Sequence, residues 1–230
     1  MKRPESLREY RWLVAPEPPP GSPLHTIGDT IHPVLRQVLY NRGLTQPGQI
    51  QSFLENHYLQ SRDPFGLPDM EPAVERITRA YGTDARRWLG DMIAVYGDFD
   101  ADGVTATVLL TEALRSMVAD RRQIIPYIPD RFDEGYGLNL DSLAKLRAKG
   151  VSLVISVDCG IRSPVEAAHA RSIGLDLIIT DHHGLGREIP PAVAVINPKR
   201  PDSTYPEQML AGVGIAFKLA QAMRQFAPDL

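Results

Sequence analysis

Asp98, Asp100 and Asp102 stand at alternate positions in the segment Gly97-Asp98-Phe99-Asp100-Ala101-Asp102-Gly103. In an extended chain, alternate carboxylates lie ~6.6 Å apart, and each adjacent pair repels by about 2–3 kcal/mol at an effective dielectric constant of about 20. No Lys or Arg lies between Met92 and Val108 to offset that repulsion locally. A solvated acidic turn is the plainest reading, with Gly103 allowing the bend. A divalent cation would instead turn the repulsion into coordination, since hard carboxylate oxygens suit Mg²⁺ or Mn²⁺. Further along stand Asp158-Cys159-Gly160, Asp181-His182-His183 and Asn197-Pro198-Lys199. Neutral imidazoles from His182 or His183 would move the preference away from Ca²⁺ and towards Mn²⁺, with Zn²⁺ left open. His25, His32, His57 and His169 have no comparable setting and read as ordinary side chains. Cys159, with no second thiol in the chain, reads as a small buried filler beside Asp158.

Each of these groups follows a short apolar run. Ile93–Tyr96 leads into the three aspartates, Leu153–Val157 into Asp158, Leu175–Thr180 into Asp181 and Val193–Ile196 into Asn197. A fifth run covers Ile124–Ile128, and helical periodicity marks Gly103–Ala119, Leu140–Lys149, Pro164–Ile173 and Gly212–Phe226. Continuous Val/Ile/Leu runs bounded by turns are the pattern of strands buried on both faces, joined by helical crossovers. The expected fold is therefore α/β: a doubly wound, mainly parallel five-stranded sheet flanked by helices. The connection from Thr180 to Val193 is too irregular to read as a helix. Ligands of open α/β sheets bind at the carboxyl ends of the strands, and here acidic, imidazole and amide groups gather at that one edge.

Eleven of the 20 prolines fall in the first 72 residues. The expected organisation is therefore a small, Pro-rich helical region over 1–88, followed by the sheet domain over 89–230. Short helices are expected at Pro33–Asn41 and Pro47–Glu55, with helical pattern again from Ala73. The 230 residues carry 25 basic and 28 acidic side chains, a net charge of −3, and 23% are charged, which excludes a wholly disordered chain. One cysteine excludes an internal disulfide. No apolar run approaches the ~18 residues of a membrane span, and MKRPESLREYRW lacks the apolar core of a secretory signal. A soluble, cytoplasmic protein with no membrane partner is expected. The slight acidity does not speak against nucleic acid, because a groove can be locally basic on an acidic protein.

Other motif readings fail on detail. A Ca²⁺-binding helix–loop–helix starting at Asp98 would need an acidic twelfth residue, where Leu109 stands. An aspartyl-phosphatase reading of Asp100-Ala101-Asp102-Gly103-Val104 leaves Asp98 and Asp181-His182-His183 unexplained. Gly212-Val213-Gly214 lacks the third glycine of a dinucleotide fingerprint.

The segments YGDFDADGVTAT, VDCGI and TDHH, in this order and at these strand ends, resemble the DHH phosphoesterase superfamily. DPFGLPDM, YIPDRFDEGYGL, INPKRPDSTYP and LAGVGIAFKLAQAM extend the resemblance, from about Leu39 onward, to its RecJ-like branch of single-strand-specific DNA exonucleases. The resemblance implies a metal-dependent enzyme that degrades single-stranded DNA from the 5′ end to 5′-mononucleotides, in recombination and repair. It implies Mn²⁺ or Mg²⁺, two ions in the complete protein, held by Asp100, Asp102, Asp158 and His182. Asp98 and His183 complete the catalytic set as ligands or phosphate contacts, and Arg131 is the expected grip on a DNA phosphate. In a two-ion site Asp158 is the expected shared carboxylate, and activated water replaces a protein nucleophile. Single-stranded-DNA-binding protein and a helicase are the implied partners, and a monomer the simplest state.

RecJ-like proteins carry a fourth acidic motif beyond AGVGIAFK. The chain is thus expected to be an N-terminal portion with an incomplete metal site, weakly active or inactive alone. Within the superfamily the alternative is a phosphodiesterase of short oligonucleotides or cyclic dinucleotides, or a pyrophosphatase. Those relatives open the first motif with His and Asn-Pro, where Tyr96 and Asp98 stand here. An alternative of another class is a non-catalytic DNA-binding module.

Overall fold

The computed structural model describes residues 13–25, 31–55, 63–81, 91–118 and 120–226. They form two compact units, meeting in sequence at Arg62/Asp63. The first contains helices α1 (Pro33–Asn41) and α2 (Pro47–Leu54), each opened by a proline whose missing N–H costs nothing in a first turn. Leu24, Ile31, Leu39 and Ile50 form its small core. His32, an ordinary residue by its sequence setting, caps α1 by accepting the Val34 N–H at Nδ1.

The second unit begins with helix α3 (Met70–Tyr81) and continues as strand β1 (Met92–Tyr96), helix α4 (Ala101–Ser116), β2 (Ile124–Tyr127), α5 (Leu140–Ala148), β3 (Val151–Val157), α6 (Pro164–Ser172), β4 (Asp176–Thr180), β5 (Ala194–Ile196) and α7 (Gly212–Phe226). The expected domain boundary at 88/89 lies outside the described residues. Helix α3, assigned from sequence to the N-terminal region, here packs with the sheet: Ala73, Val74 and Ile77 share a core with Ile93, Ile155 and Ile196.

All four strand pairings are parallel, in the order β2-β1-β3-β4-β5. Alternate residues supply two cores. Ile93, Val95, Leu153, Ile155, Val157 and Ile178 face α3, α4 and α7, whereas Ala94, Tyr96, Val154, Leu177 and Ile179 face α5 and α6. Burial on both faces explains why the strands read as unbroken apolar runs instead of alternating ones. Each fully buried Ile or Leu contributes ~1.5–3 kcal/mol, and Ile155→Ala on the central strand would cost about 2–5 kcal/mol. This strand order reverses direction between β1 and β3, and such a switch point opens a crevice at the carboxyl ends of those strands. The three aspartates follow β1 and Asp158 follows β3, so topology delivers both groups to that crevice. The segment between β4 and β5 carries no helix, as its irregular pattern indicated.

Candidate metal centre

The aspartate segment is not extended, so the alternate spacing of an extended chain does not apply to it. Helix α4 starts at Ala101, two residues before the expected Gly103, because Asp100 is its cap: Oδ1 accepts the Gly103 N–H at 2.8 Å. Close packing dictates both glycines. A Cβ on Gly97 would sit 1.8 Å from Thr107 Oγ1, and one on Gly103 would sit 2.5–2.7 Å from Asp98 Cβ, N and O. Only glycine lets α4 lie against the chain leaving β1, which sets Asp98 and Asp100 side by side. Asp98 is buried, and its Oδ1 accepts the Phe99 N–H at 2.6 Å. Burial pushes the Asp98 carboxyl above its ordinary range, with the Phe99 N–H opposing this and Asp100 adding to it.

Asp158 lies opposite, at φ +62°, a left-handed conformation uncommon for a non-glycine residue. Its N–H donates to Thr180 O at 2.9 Å, and Gly160, at φ +110°, completes the turn. The side chain is buried, and Oδ1 has no hydrogen-bond partner although His182 Nε2 lies 3.0 Å away. Burial first, then the charges of Asp102 and Asp100, push the Asp158 carboxyl up to about 7.

The two histidines are held differently. His182 Nε2 sits 3.0 Å from Asp158 Oδ1 and 3.6 Å from Asp102 Oδ2. His183 is oriented by Asp181, a residue quoted in the sequence motif but given no role there. Asp181 Oδ1 lies 2.8 Å from His183 Nδ1 and also accepts the His183 N–H, while Oδ2 accepts the Ile161 N–H at 2.9 Å. Nδ1 thus carries the proton and Nε2 keeps a lone pair, the usual setting of a ligating imidazole. Buried Asn197 secures the turn by donating Nδ2 to His183 O at 3.0 Å. It answers the Asn-Pro-Lys segment seen in sequence.

Two groups of donor atoms result. Asp98, Asp100 and Asp158 offer atoms within 4.8 Å of one another, as do Asp158, His182 and His183, so Asp158 belongs to both. Asp102 belongs to neither: its Oδ2 and Oδ1 accept the Gly212 and Val213 N–H groups at 2.8 Å, tying it to the N-terminus of α7. Gly212 was missed as a site residue. A Cβ there would lie 2.5–2.7 Å from Asp158 Oδ1, Cβ and Cγ, an approach that only the tertiary structure discloses. Arg131 stands on the loop after β2, its guanidinium 5.0 Å from the centre of the Phe99 ring. Cys159 is buried, as expected for a filler.

The donors fit one or two hard divalent cations. The carboxylates supply hard oxygens, Asp181 prepares one imidazole, and the orphaned, buried Asp158 Oδ1 lacks the partner that a buried carboxylate requires. Ligands in adjacent octahedral positions, ~2.1 Å from an ion, are ~3 Å apart, which matches the His182–Asp158 spacing of 3.0 Å.

The family model described as DHH family, N-terminal domain, matches residues 92–229. The chain belongs to the DHH family. Among DHH relatives, the single-stranded-DNA-specific exonuclease RecJ of Bacillus subtilis is 39% identical over 223 residues, covering 96% of this chain and 27% of that protein. The Escherichia coli RecJ is 37% identical over 197 residues, covering 86% of this chain and 32% of that protein. The chain thus spans between a quarter and a third of the length of these relatives. A crystal structure of exonuclease RecJ bound to manganese superposes with a TM-score of 0.59 at 31% identity, covering 70% of this chain and 38% of that one. RecJ from Thermus thermophilus in complex with Mn²⁺ matches the fold with a TM-score of 0.65 at 24% identity, over 95% of this chain and 29% of that one. The expected doubly wound DHH fold is borne out. Among the described residues, no helix is long and apolar enough to cross a membrane.

Proposed function

We propose that this chain carries the cation-binding part of an exonuclease that hydrolyses single-stranded DNA and releases 5′-mononucleotides. The observation that carries the reading is the sharing of Asp158, with its unpartnered buried oxygen, between two donor groups at the sheet's switch point. The similarity to exonucleases named for single-stranded DNA, along most of this chain, supports the substrate. Attack from the 5′ end, a role in recombination and repair, partnership with single-stranded-DNA-binding protein and a helicase, and a monomer in the cytoplasm are proposed on family resemblance. The metal set is proposed as Asp98, Asp100, Asp158, His182 and His183, with Asp102 completing the His182 side.

Bound Mn²⁺ or Mg²⁺ would neutralise the phosphodiester and supply an activated water for in-line displacement. The chain's residues prepare for this. Asp158, common to both donor groups, would be held as the carboxylate by a bound cation. Asp181 keeps the His183 proton on Nδ1, so Nε2 is the ligating or phosphate-facing atom. Asp102, fixed by two N–H groups of α7, holds the His182 side rigid. Arg131, a planar fork on the rim, would take non-bridging phosphate oxygens.

The test pairs calorimetric titration of the chain with Mn²⁺ and single-turnover nucleotide release, by the complete exonuclease that carries it, from a labelled single strand and a matched duplex. Asp158→Asn, which removes the carboxylate common to both donor groups, is expected to abolish Mn²⁺ binding. Release from the single strand is expected to vanish on Asp100→Ala. Unchanged Mn²⁺ binding by Asp158→Asn, or release that survives Asp100→Ala, refutes the reading.

A further inference from the structure

Arg131 is exposed beside a cluster of carboxylates, yet among the described residues its guanidinium makes no hydrogen bond or ion pair; it rests on the Phe99 ring, 5.0 Å from the centroid. Phe99 stands between two carboxylates of the cluster, Asp98 and Asp100, with its N–H donated to Asp98 Oδ1 at 2.6 Å. Its ring is buttressed in turn by Tyr136, edge-on with centroids 6.1 Å apart. The backbone around Arg131 is equally constrained. Asp130 O accepts the Glu134 N–H at 2.9 Å, Asp130 Oδ1 accepts the Phe132 N–H at 2.8 Å, and Glu134 Oε2 accepts the Asp130 N–H at 3.0 Å. Glu134 Oε1 is itself anchored by Tyr127 OH and Ser142 Oγ at 2.6 and 2.7 Å.

The chemistry of the partner matters. A carboxylate would also hold an exposed arginine, but it would neutralise the charge and consume N–H donors. A ring face attracts the cation while leaving every donor free. An arginine held this way has already lost much of the rotamer freedom that a ligand would otherwise have to quench. Its free donors form a fork that matches the oxygens of one phosphate group.

We infer that Phe99 is a positioning residue: its ring holds the Arg131 guanidinium, donors free, for a phosphate of a nucleic-acid strand lying at the carboxylate–histidine cluster. The inference rests on the nuclease reading and adds a residue that touches neither the cations nor the strand's reacting atoms.

The experiment measures binding of a fluorescein-labelled 12-nucleotide oligothymidylate to the chain in Ca²⁺, across a series of salt concentrations, by fluorescence anisotropy. The variants are Arg131→Gln, Phe99→Leu, Phe99→Tyr and the double variant Phe99→Leu/Arg131→Gln, each first shown by thermal unfolding to be folded. Arg131→Gln should lower the slope of log affinity against log salt by about 0.7, the signature of one lost phosphate contact on a single strand. Phe99→Leu should weaken binding about two- to five-fold, the range of an exposed cation–π contact, while Phe99→Tyr binds as the parent does. In the Arg131→Gln background Phe99→Leu should have no further effect, because the ring then has no cation to hold. An unchanged salt slope in Arg131→Gln overturns the inference. So does an equal effect of Phe99→Leu in both backgrounds, which would mark Phe99 as merely structural. If the parent chain fails to bind the strand at all, the nucleic-acid reading falls first and the inference with it.

Discussion

Gly212→Ala puts the architecture of the site under direct test, because the chain supplies a matched control in the same helix. Glycine is poorer than alanine in a helix by up to ~1 kcal/mol, so propensity alone favours alanine at both Gly212 and Gly214. The surroundings differ. A Cβ at Gly214 meets only the Leu210 side chain, its flexible Cδ2 at 3.3 Å and its Cβ and Cγ at ordinary contact distances of 3.6 and 3.9 Å. A Cβ at Gly212 would stand 2.5 Å from Asp158 Oδ1 and 2.6 and 2.7 Å from its Cβ and Cγ. Restoring ordinary contact requires the carboxylate to retreat by roughly 0.5–1 Å, and overpacking of this kind costs about 1–3 kcal/mol.

Asp158 has little room to give. Its backbone is at φ +62°, and its N–H is committed to Thr180 O. Metal sites tolerate ligand shifts of about ±0.2 Å, so a displacement of this size should lower Mn²⁺ affinity about 10–100-fold. Gly214→Ala should leave affinity unchanged and metal-free stability equal or slightly higher. Calorimetric titration with Mn²⁺ measures the first quantity, and thermal unfolding in EDTA the second. Mn²⁺ affinity in Gly212→Ala within two-fold of the parent would refute the placement of Asp158 against α7.

Three further outcomes are expected. Asp158→Asn should raise metal-free stability by about 1–3 kcal/mol, because it replaces a buried carboxylate, whose charge burial and the neighbouring Asp102 and Asp100 disfavour, with a neutral amide, and asparagine accepts left-handed φ; it should also abolish stabilisation by Mn²⁺, and a fall in the EDTA melting temperature would contradict this. Asp181→Asn turns an amide N–H₂ towards a backbone donor or the His183 ring, so Mn²⁺ affinity should drop about 10–100-fold while the fold persists, as read by calorimetry beside circular dichroism. Burial would raise the Glu134 carboxyl, but bonds from Tyr127, Ser142, the Asp130 N–H and Lys145 bring it down to about 2, so its contribution is complete above the unfolded value and lost as pH falls through the folded one. Between pH 7 and pH 3 the parent should therefore lose about 2 kcal/mol more than Glu134→Gln in urea unfolding, and equal losses would exclude the network as a source of acid sensitivity.

Much of the sheet was legible in the sequence because both of its faces are buried, so its strands read as unbroken apolar runs between turns. The ends of elements were less legible. Asp100 was read for its charge, which concealed its other use as a helix cap, and α4 begins at Ala101 for that reason. Helix α3 was grouped with the Pro-rich segment by composition, but its apolar stripe packs with Ile93 and Ile155. The metal-site side chains were visible as types at strand ends. What positions them was not, because those partners come from elsewhere in the chain. Asp181 works through the Ile161 N–H and the His183 ring, Gly212 through an approach to Asp158, and Phe99 through an arginine on another loop. Gly212 was weighed only as part of a nucleotide fingerprint, since a local pattern carries no sign of a contact across the fold.

The same contacts explain how an acidic cluster with no lysine or arginine between Met92 and Val108 assembles at all. Two helices point their N-termini at it: Asp100 caps α4, and Asp102 accepts the first N–H groups of α7. Each such contact offsets about 0.3–1 kcal/mol through the partial positive charge of the helix end. Carboxylate oxygens of Asp98, Asp100 and Asp158 come within 4.8 Å of one another, where two unit charges repel by about 3 kcal/mol or more at an effective dielectric constant of about 20, so the helix ends offset only part of it. The remainder falls on the carboxylate that, among the described residues, accepts no backbone N–H, since Asp98 at least has that of Phe99. That residue is Asp158, whose buried oxygen has no partner and whose proton is held to about pH 7. The fold therefore relieves its outer aspartates with backbone dipoles and leaves the central one for a cation to complete, which is why Asp158 is the position where substitution should most sharply separate stability from metal binding.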